Sequence, residues 1–97
     1  MSKPLTIVAR IKAKPGRENA LAAELAKLVA PTLAEPGCLQ YDFHRDREDP
    51  GNFLFFENWA TKPEWEAHMA SPQLTAYMAV ADDLVETFEL YQMEKAD

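Results

Sequence analysis

Gly37-Cys-Leu-Gln-Tyr-Asp-Phe-His-Arg45, Asp46-Arg-Glu-Asp-Pro-Gly-Asn52, Phe53-Leu-Phe-Phe-Glu-Asn-Trp59 and Ala60-Thr-Lys-Pro-Glu-Trp-Glu-Ala-His68 form one continuous stretch that decides the fold. Leu39, Tyr41 and Phe43 alternate with Gln40, Asp42 and His44, the period of two expected of a strand with one apolar face. The polar run Asp46 to Asn52, with Pro50-Gly51 inside it, reverses the chain in a loop longer than the tightest hairpin. Phe53 to Trp59 is apolar on consecutive residues, so both faces of this second strand need cover, as in a central strand or one facing a partner subunit.

Thr61 and Glu64 have capping-box spacing, which starts a helix at about residue 62. Trp65, His68 and Met69 then share one side of that helix, and Trp65 and His68 lean towards whatever it covers. Ser71-Pro72 is a second start signal, so the segment reads as a broken helix pair.

Outward from this stretch, Leu5, Ile7, Ala9 and Ile11 alternate with Thr6, Val8, Arg10 and Lys12 in a first strand, stopped by Lys14-Pro15-Gly16. From Arg17 to about Ala34, Leu21, Leu25, Leu28, Val29 and Leu33 recur at helical spacing, with a kink or early end expected at Pro31. Beyond the helix pair, Ala76 to Leu84 continues helically through Tyr77, Val80 and Leu84. Glu86 to Glu94 alternates as a last strand, and Lys95 to Asp97 is expected to fray.

The order strand, helix, strand, strand, helix, strand is the split βαβ arrangement of a ferredoxin-like α+β domain: an antiparallel four-stranded sheet with helices on one face. A chain of 97 residues fits a single domain, residues 1–97, with its core at about residues 5–93. The uncovered sheet face would carry Val8, Tyr91, Met93 and part of the Phe53 to Phe56 run, which predicts a homodimer packed through its sheet faces.

Composition excludes several function classes. A net charge of -6 leaves no basic field for nucleic acid, and it opposes anionic substrates unless Arg10, Lys12, Arg45 or Arg47 gathers locally. No apolar run approaches a membrane span or a secretory signal, so cytoplasm is the expected location and no membrane partner is expected. Cys38 is the one cysteine and reads as a small strand residue. His44 and His68, with Glu57 between them, lack metal-ligand spacing, so no metal is expected.

Pro36-Gly37-Cys38-Leu39, Phe56-Glu57-Asn58-Trp59 and Glu66-Ala67-His68-Met69, with Ser71-Pro72 and Tyr77, resemble the antibiotic biosynthesis monooxygenase family. The resemblance runs over about Leu5 to Met93 and is closest to the quinol monooxygenase-like members. It implies a dimeric α/β-barrel of ferredoxin-like units that oxygenates a small phenolic, quinol or polyketide-like substrate with O2 and without a cofactor. It also implies that Trp59 and His44 contact the substrate, that His68 is the histidine of quinol-oxidising relatives, and that Trp65 stands where a polyketide oxygenase has a tyrosine.

Departures from the family narrow these expectations. Phe55 replaces a substrate-contacting asparagine, Gln73 replaces a histidine, and Met78 stands at the axial histidine of haem-cleaving relatives, against haem degradation.

In such chemistry a bound phenol or enol loses a proton to a general base, and a donor holds the developing oxyanion. His68 is the candidate base and, with Trp59, the candidate catalytic pair. Tyr41 and Tyr77 are candidate donors, and His44, Phe55, Glu57 and Trp65 candidate substrate contacts. Each has a structural alternative. His68 can be a helix residue bonded to Glu57 or a backbone carbonyl, His44 a solvated strand residue, and the aromatic residues core. Glu57, inside an apolar strand, needs a partner, and His68 and Arg10 are the candidates. An isomerase of a small ketone or sugar derivative, or a binding module without catalysis, remains open beside the oxygenase.

Overall fold

The computed structural model describes residues 3–97. Eight elements follow one another: β1 (Leu5–Ala13), α1 (Glu18–Ala26), α2 (Val29–Leu33), β2 (Cys38–Arg45), β3 (Asn52–Trp59), α3 (Lys62–Met69), α4 (Pro72–Leu84) and β4 (Val85–Met93). The strands form one antiparallel sheet in the order β2-β3-β1-β4, the ferredoxin-like α+β arrangement expected from the element pattern. Phe53 to Trp59 does lie in a central strand, between β2 and β1.

The pleat separates the two faces. Ile7, Ala9, Ile11, Phe53, Phe55, Glu57, Trp59 and Tyr41 are buried beneath the helices, which contribute Leu21, Leu25, Leu28, Trp65, Leu74, Tyr77 and Leu84 to the same core. Each such leucine withdrawn from water stabilises the fold by about 1.5–3 kcal/mol. On the other face, Val8 lies between Phe56 and Tyr91 in the register, with Leu54 and Met93 nearby. Tyr91 and Met93 are exposed there, as the strand periodicity predicts.

Four local expectations are corrected. The first helix does not run to Pro31 before breaking: it ends at Ala26, and Pro31 sits in the first turn of the separate short helix α2. The cause is still Pro31, whose missing N–H and bulky ring act on the carbonyl four residues earlier, at Lys27. Leu39 does not join the inner face and is exposed, because the β2–β3 register shifts between Cys38 and Gln40. Leu33 is also exposed, the helical stripe having been interrupted upstream. The last strand starts at Val85, directly after Leu84, with no intervening turn.

The start signals of the helix pair hold. Thr61 accepts a hydrogen bond from the Glu64 amide, and its hydroxyl donates to the Glu64 carboxylate at 2.9 Å. Ser71 caps α4 by accepting from the Leu74 amide. Gly37 has φ 80°, a left-handed conformation that any side chain resists, and its Cα faces the Glu64 carboxylate at close range. This turn delivers the chain from α2 into β2.

Candidate active site

The break between α3 and α4 puts two polar side chains, His68 and Gln73, against the turn that follows α2. His68, in the last turn of α3, is almost fully buried, and its Nδ1 lies 2.7 Å from Glu35 Oε2. Gln73, in the first turn of α4, donates to Glu35 Oε1 at 3.2 Å and to Thr32 Oγ1 at 3.3 Å. An ionised carboxylate only accepts hydrogen bonds, so Nδ1–H is the donor to Glu35 and Nε2 is the ring nitrogen left for another partner. Among the described residues no fully buried side-chain nitrogen or oxygen lacks a partner. An Nε2 with no protein partner therefore opens on to the cavity that His68 lines.

That cavity, about 280 Å³, lies between the helices and the inner face of the sheet. Tyr41, Phe55, Trp65 and Tyr77 line it together with His68 and Glu57. Met69, Met78 and Phe88 form an exposed apolar rim. Tyr41 meets the His68 ring edge-on at 5.6 Å and packs on Phe55 at 4.9 Å between centroids. Burial pushes the Tyr77 hydroxyl up to about 12. Burial likewise raises Tyr41, reinforced by the Glu57 charge and opposed by a hydrogen bond with Thr32. Both phenols are thus neutral donors at ordinary pH.

Glu57 is the other polar group of the floor. It pairs neither with His68 nor with Arg10, which instead faces Glu89 at 3.7 Å on the outer side of the sheet. Its Oε1 accepts the Trp59 indole N–H at 2.9 Å. Burial pushes the Glu57 carboxyl up to about 7, the Trp59 bond working against that rise and the Glu35 charge adding to it.

Trp59 packs against His68 with the rings tilted by 32° and 4.8 Å between centroids, so indole and imidazole share one side of the sheet. The indole is completely buried and is absent from the cavity wall. It backs the site through His68 and Glu57 rather than offering a surface to a ligand. His44 lies on the opposite face of the sheet, opposite Leu54 and in a separate hollow with Arg10 and Arg45. Strand alternation forces this, since Tyr41 and Phe43 point inwards from the same strand. Seven of the eight sequence candidates therefore gather around His68, six of them counting His68 on the cavity wall, and His44 does not.

The charged residues of the cavity wall are Glu57 and, at the rim, Asp82; lysine and arginine do not contribute to it. The cations suggested from the sequence to gather locally sit elsewhere, Lys12 paired with Asp49 and Arg45 bonded to the Pro50 carbonyl and to Asn19. Glu35 is not singled out by the sequence. The single signal for it was indirect: a buried histidine must find a partner, and a carboxylate ahead of a fixed turn is a candidate.

Comparison with known proteins places this arrangement in a family. A family model described as antibiotic biosynthesis monooxygenase matches residues 4–80. The structure of PA3566 from Pseudomonas aeruginosa superposes with a TM-score of 0.96 at 38% identity, covering 100% of this chain and 98% of that one. Rv0793 of Mycobacterium tuberculosis, named as a candidate monooxygenase, is 32% identical over 88% of this chain and 83% of its own. YgiN of Escherichia coli, named a probable quinol monooxygenase, is 31% identical over 84% of this chain and 89% of its own. The chain spans about half the length, 56%, of another relative, sll1783 of Synechocystis, at 29% identity. With the family model covering most of its length and every strand and helix superposing on PA3566, the chain belongs to the antibiotic biosynthesis monooxygenase family.

Proposed function

We propose that this protein oxygenates a small phenolic or quinol substrate with O2 in the cavity beside His68, without a cofactor. The observation that carries the reading is the His68–Glu35 pair: Glu35 holds Nδ1–H at 2.7 Å, which leaves Nε2 as a base on the wall of an aromatic cavity. Nε2 takes the phenolic proton, and the Glu35 carboxylate stabilises the imidazolium that forms. The Tyr77 hydroxyl donates to the resulting oxyanion, in a site from which the bound aromatic ring displaces water. The electron-rich anion passes an electron to O2, and recombination forms a carbon–oxygen bond as a peroxide. Breaking the O–O bond leaves one oxygen atom on the ring carbon. The other departs as water with two hydrogens from the substrate.

Support also comes from relatives whose names carry monooxygenase and quinol monooxygenase activity. An isomerase of a phosphorylated sugar would need a cation for the phosphate, and no lysine or arginine lies on the cavity wall. A neutral ketone isomerase remains separable by anaerobic turnover, because it consumes no O2. We place a second copy of the chain on the uncovered sheet face, where Tyr91 and Met93 are exposed beside Val8 and Phe56. Sedimentation equilibrium tests the homodimer, and a monomer at micromolar concentration would refute it. The activity is tested by oxygen uptake with a panel of hydroquinones and anthrones. Uptake above the uncatalysed rate supports the reading, and none with any member of the panel defeats it.

A further inference from the structure

Glu57 has a place in the cavity that base catalysis by His68 does not require. Its side chain enters from the middle of β3, is 4% exposed, and has one oxygen fixed by the Trp59 indole. Among the described residues no fully buried oxygen lacks a partner, so the second oxygen, which has none in the protein, faces the cavity that Glu57 lines. Among the described residues no lysine or arginine pairs with it. Ile7 is its neighbour on β1, Tyr41 and Cys38 approach from β2, and His68 comes from α3. Tyr77 and Asp82 come from α4, and Glu35 lies behind His68. Every permanently charged group in this set is acidic.

We propose that Glu57 is the specificity-determining group of this site: its free carboxyl oxygen receives a hydroxyl of an uncharged hydroxylated aromatic, and its charge turns away ligands bearing carboxylate or phosphate. This rests on the oxygenase reading for the identity of the ligand, but not for the selection itself. A carboxylate accepts a phenolic hydrogen bond, and such charge-assisted bonds are about twice as strong as neutral ones. An anionic ligand placed against it finds no counter-ion and meets a like charge in a site of low dielectric. The carboxyl ionises near neutrality, so the rejection strengthens as pH rises through about 7.

Anaerobic binding, followed by quenching of the tryptophan fluorescence, tests this without any turnover. The probes are naphthohydroquinone and the analogue carrying one carboxylate on the hydroxylated ring. At about pH 8 the wild type should bind the neutral probe at least about tenfold more tightly than the carboxylated one, a difference of about 1.4 kcal/mol. The preference should shrink towards about pH 6 as Glu57 takes up its proton. Glu57→Gln, which keeps an acceptor for the Trp59 N–H, should reduce the preference to about threefold or less and flatten its pH dependence. Trp59→Phe removes a bond that favours the ionised carboxyl, so its preference should appear only at higher pH than in the wild type. His68 is intact in both variants. A pH-dependent preference that survives unchanged in Glu57→Gln would assign it to a group other than Glu57 and overturn the proposal. Equal affinity of the wild type for both probes at about pH 8 would overturn it too, whether or not oxygen uptake is observed.

Discussion

Replacing Glu57 by Gln should make the protein more stable in alkaline solution, by an amount that depends on pH in a defined way. The carboxyl has an ordinary value of 4.5 and is raised in the fold to about 7, chiefly by burial. A raised carboxyl favours the protonated fold, so its contribution is fully present below the unfolded value of 4.5 and is lost as pH rises through about 7. At about 1.4 kcal/mol for each tenfold step in proton affinity, the gap comes to about 3 kcal/mol. Glutamine has no proton to lose. Its amide group adds a donor that needs a partner, a pH-independent cost of about 1 kcal/mol. The stability of Glu57→Gln relative to wild type should therefore rise by about 3 kcal/mol between about pH 4.5 and pH 8.5. For a chain of this size that corresponds to a relative shift in Tm on the order of 10–20 °C. Paired thermal melts at fixed protein concentration across this range measure it, and other carboxylates cancel in the difference. A difference that is flat with pH, or one in which the wild type gains on the variant as pH rises, would refute the reasoning.

Glu35→Gln should act through His68. A glutamine at this position is free to offer its amide N–H to Nδ1, so the preference for the Nδ1-protonated tautomer should be lost. Imidazole nitrogen NMR should show that tautomer in the wild type and its loss in the variant, with kcat falling by about tenfold or more and KM little changed. Unchanged spectra with unchanged kcat would reduce Glu35 to a packing role. Gly37→Ala should destabilise by about 1–3 kcal/mol in urea unfolding, because Gly37 has φ 80° and a Cβ would strike the Glu64 carboxylate. Glu64 can move aside only by leaving Thr61, so a neutral effect would contradict the capping geometry.

The strands and the helix pair were legible because their signals are local. Alternation from Leu5 to Ile11 and from Tyr41 to Phe43, the Thr61–Glu64 box and the Ser71-Pro72 start each depend on neighbours a few residues apart. The position of the break before Pro31 was misread because proline acts four residues back, and the exposed Leu39 because a bulge shifts the face. For the site, helical spacing was enough to send Trp65 and His68 inwards together. It could not supply Glu35, which lies 33 residues from His68 and meets it only after α2, β2, β3 and α3 have packed. Nor could it exclude His44, which the family resemblance put in the cavity and the strand alternation puts on the other side. Trp59, expected to contact the substrate, is completely buried; that burial depends on the whole core and makes it a support for Glu57.

Oxygen consumption with naphthohydroquinone, comparing wild type with His68→Ala, tests the central claim most directly. Uptake well above the uncatalysed rate is expected, with one O2 consumed for each hydroxylated quinone formed and a fall of about a hundredfold or more in kcat/KM for the variant. Uptake in His68→Ala equal to that of the wild type, with Tm values showing both proteins folded, would contradict it.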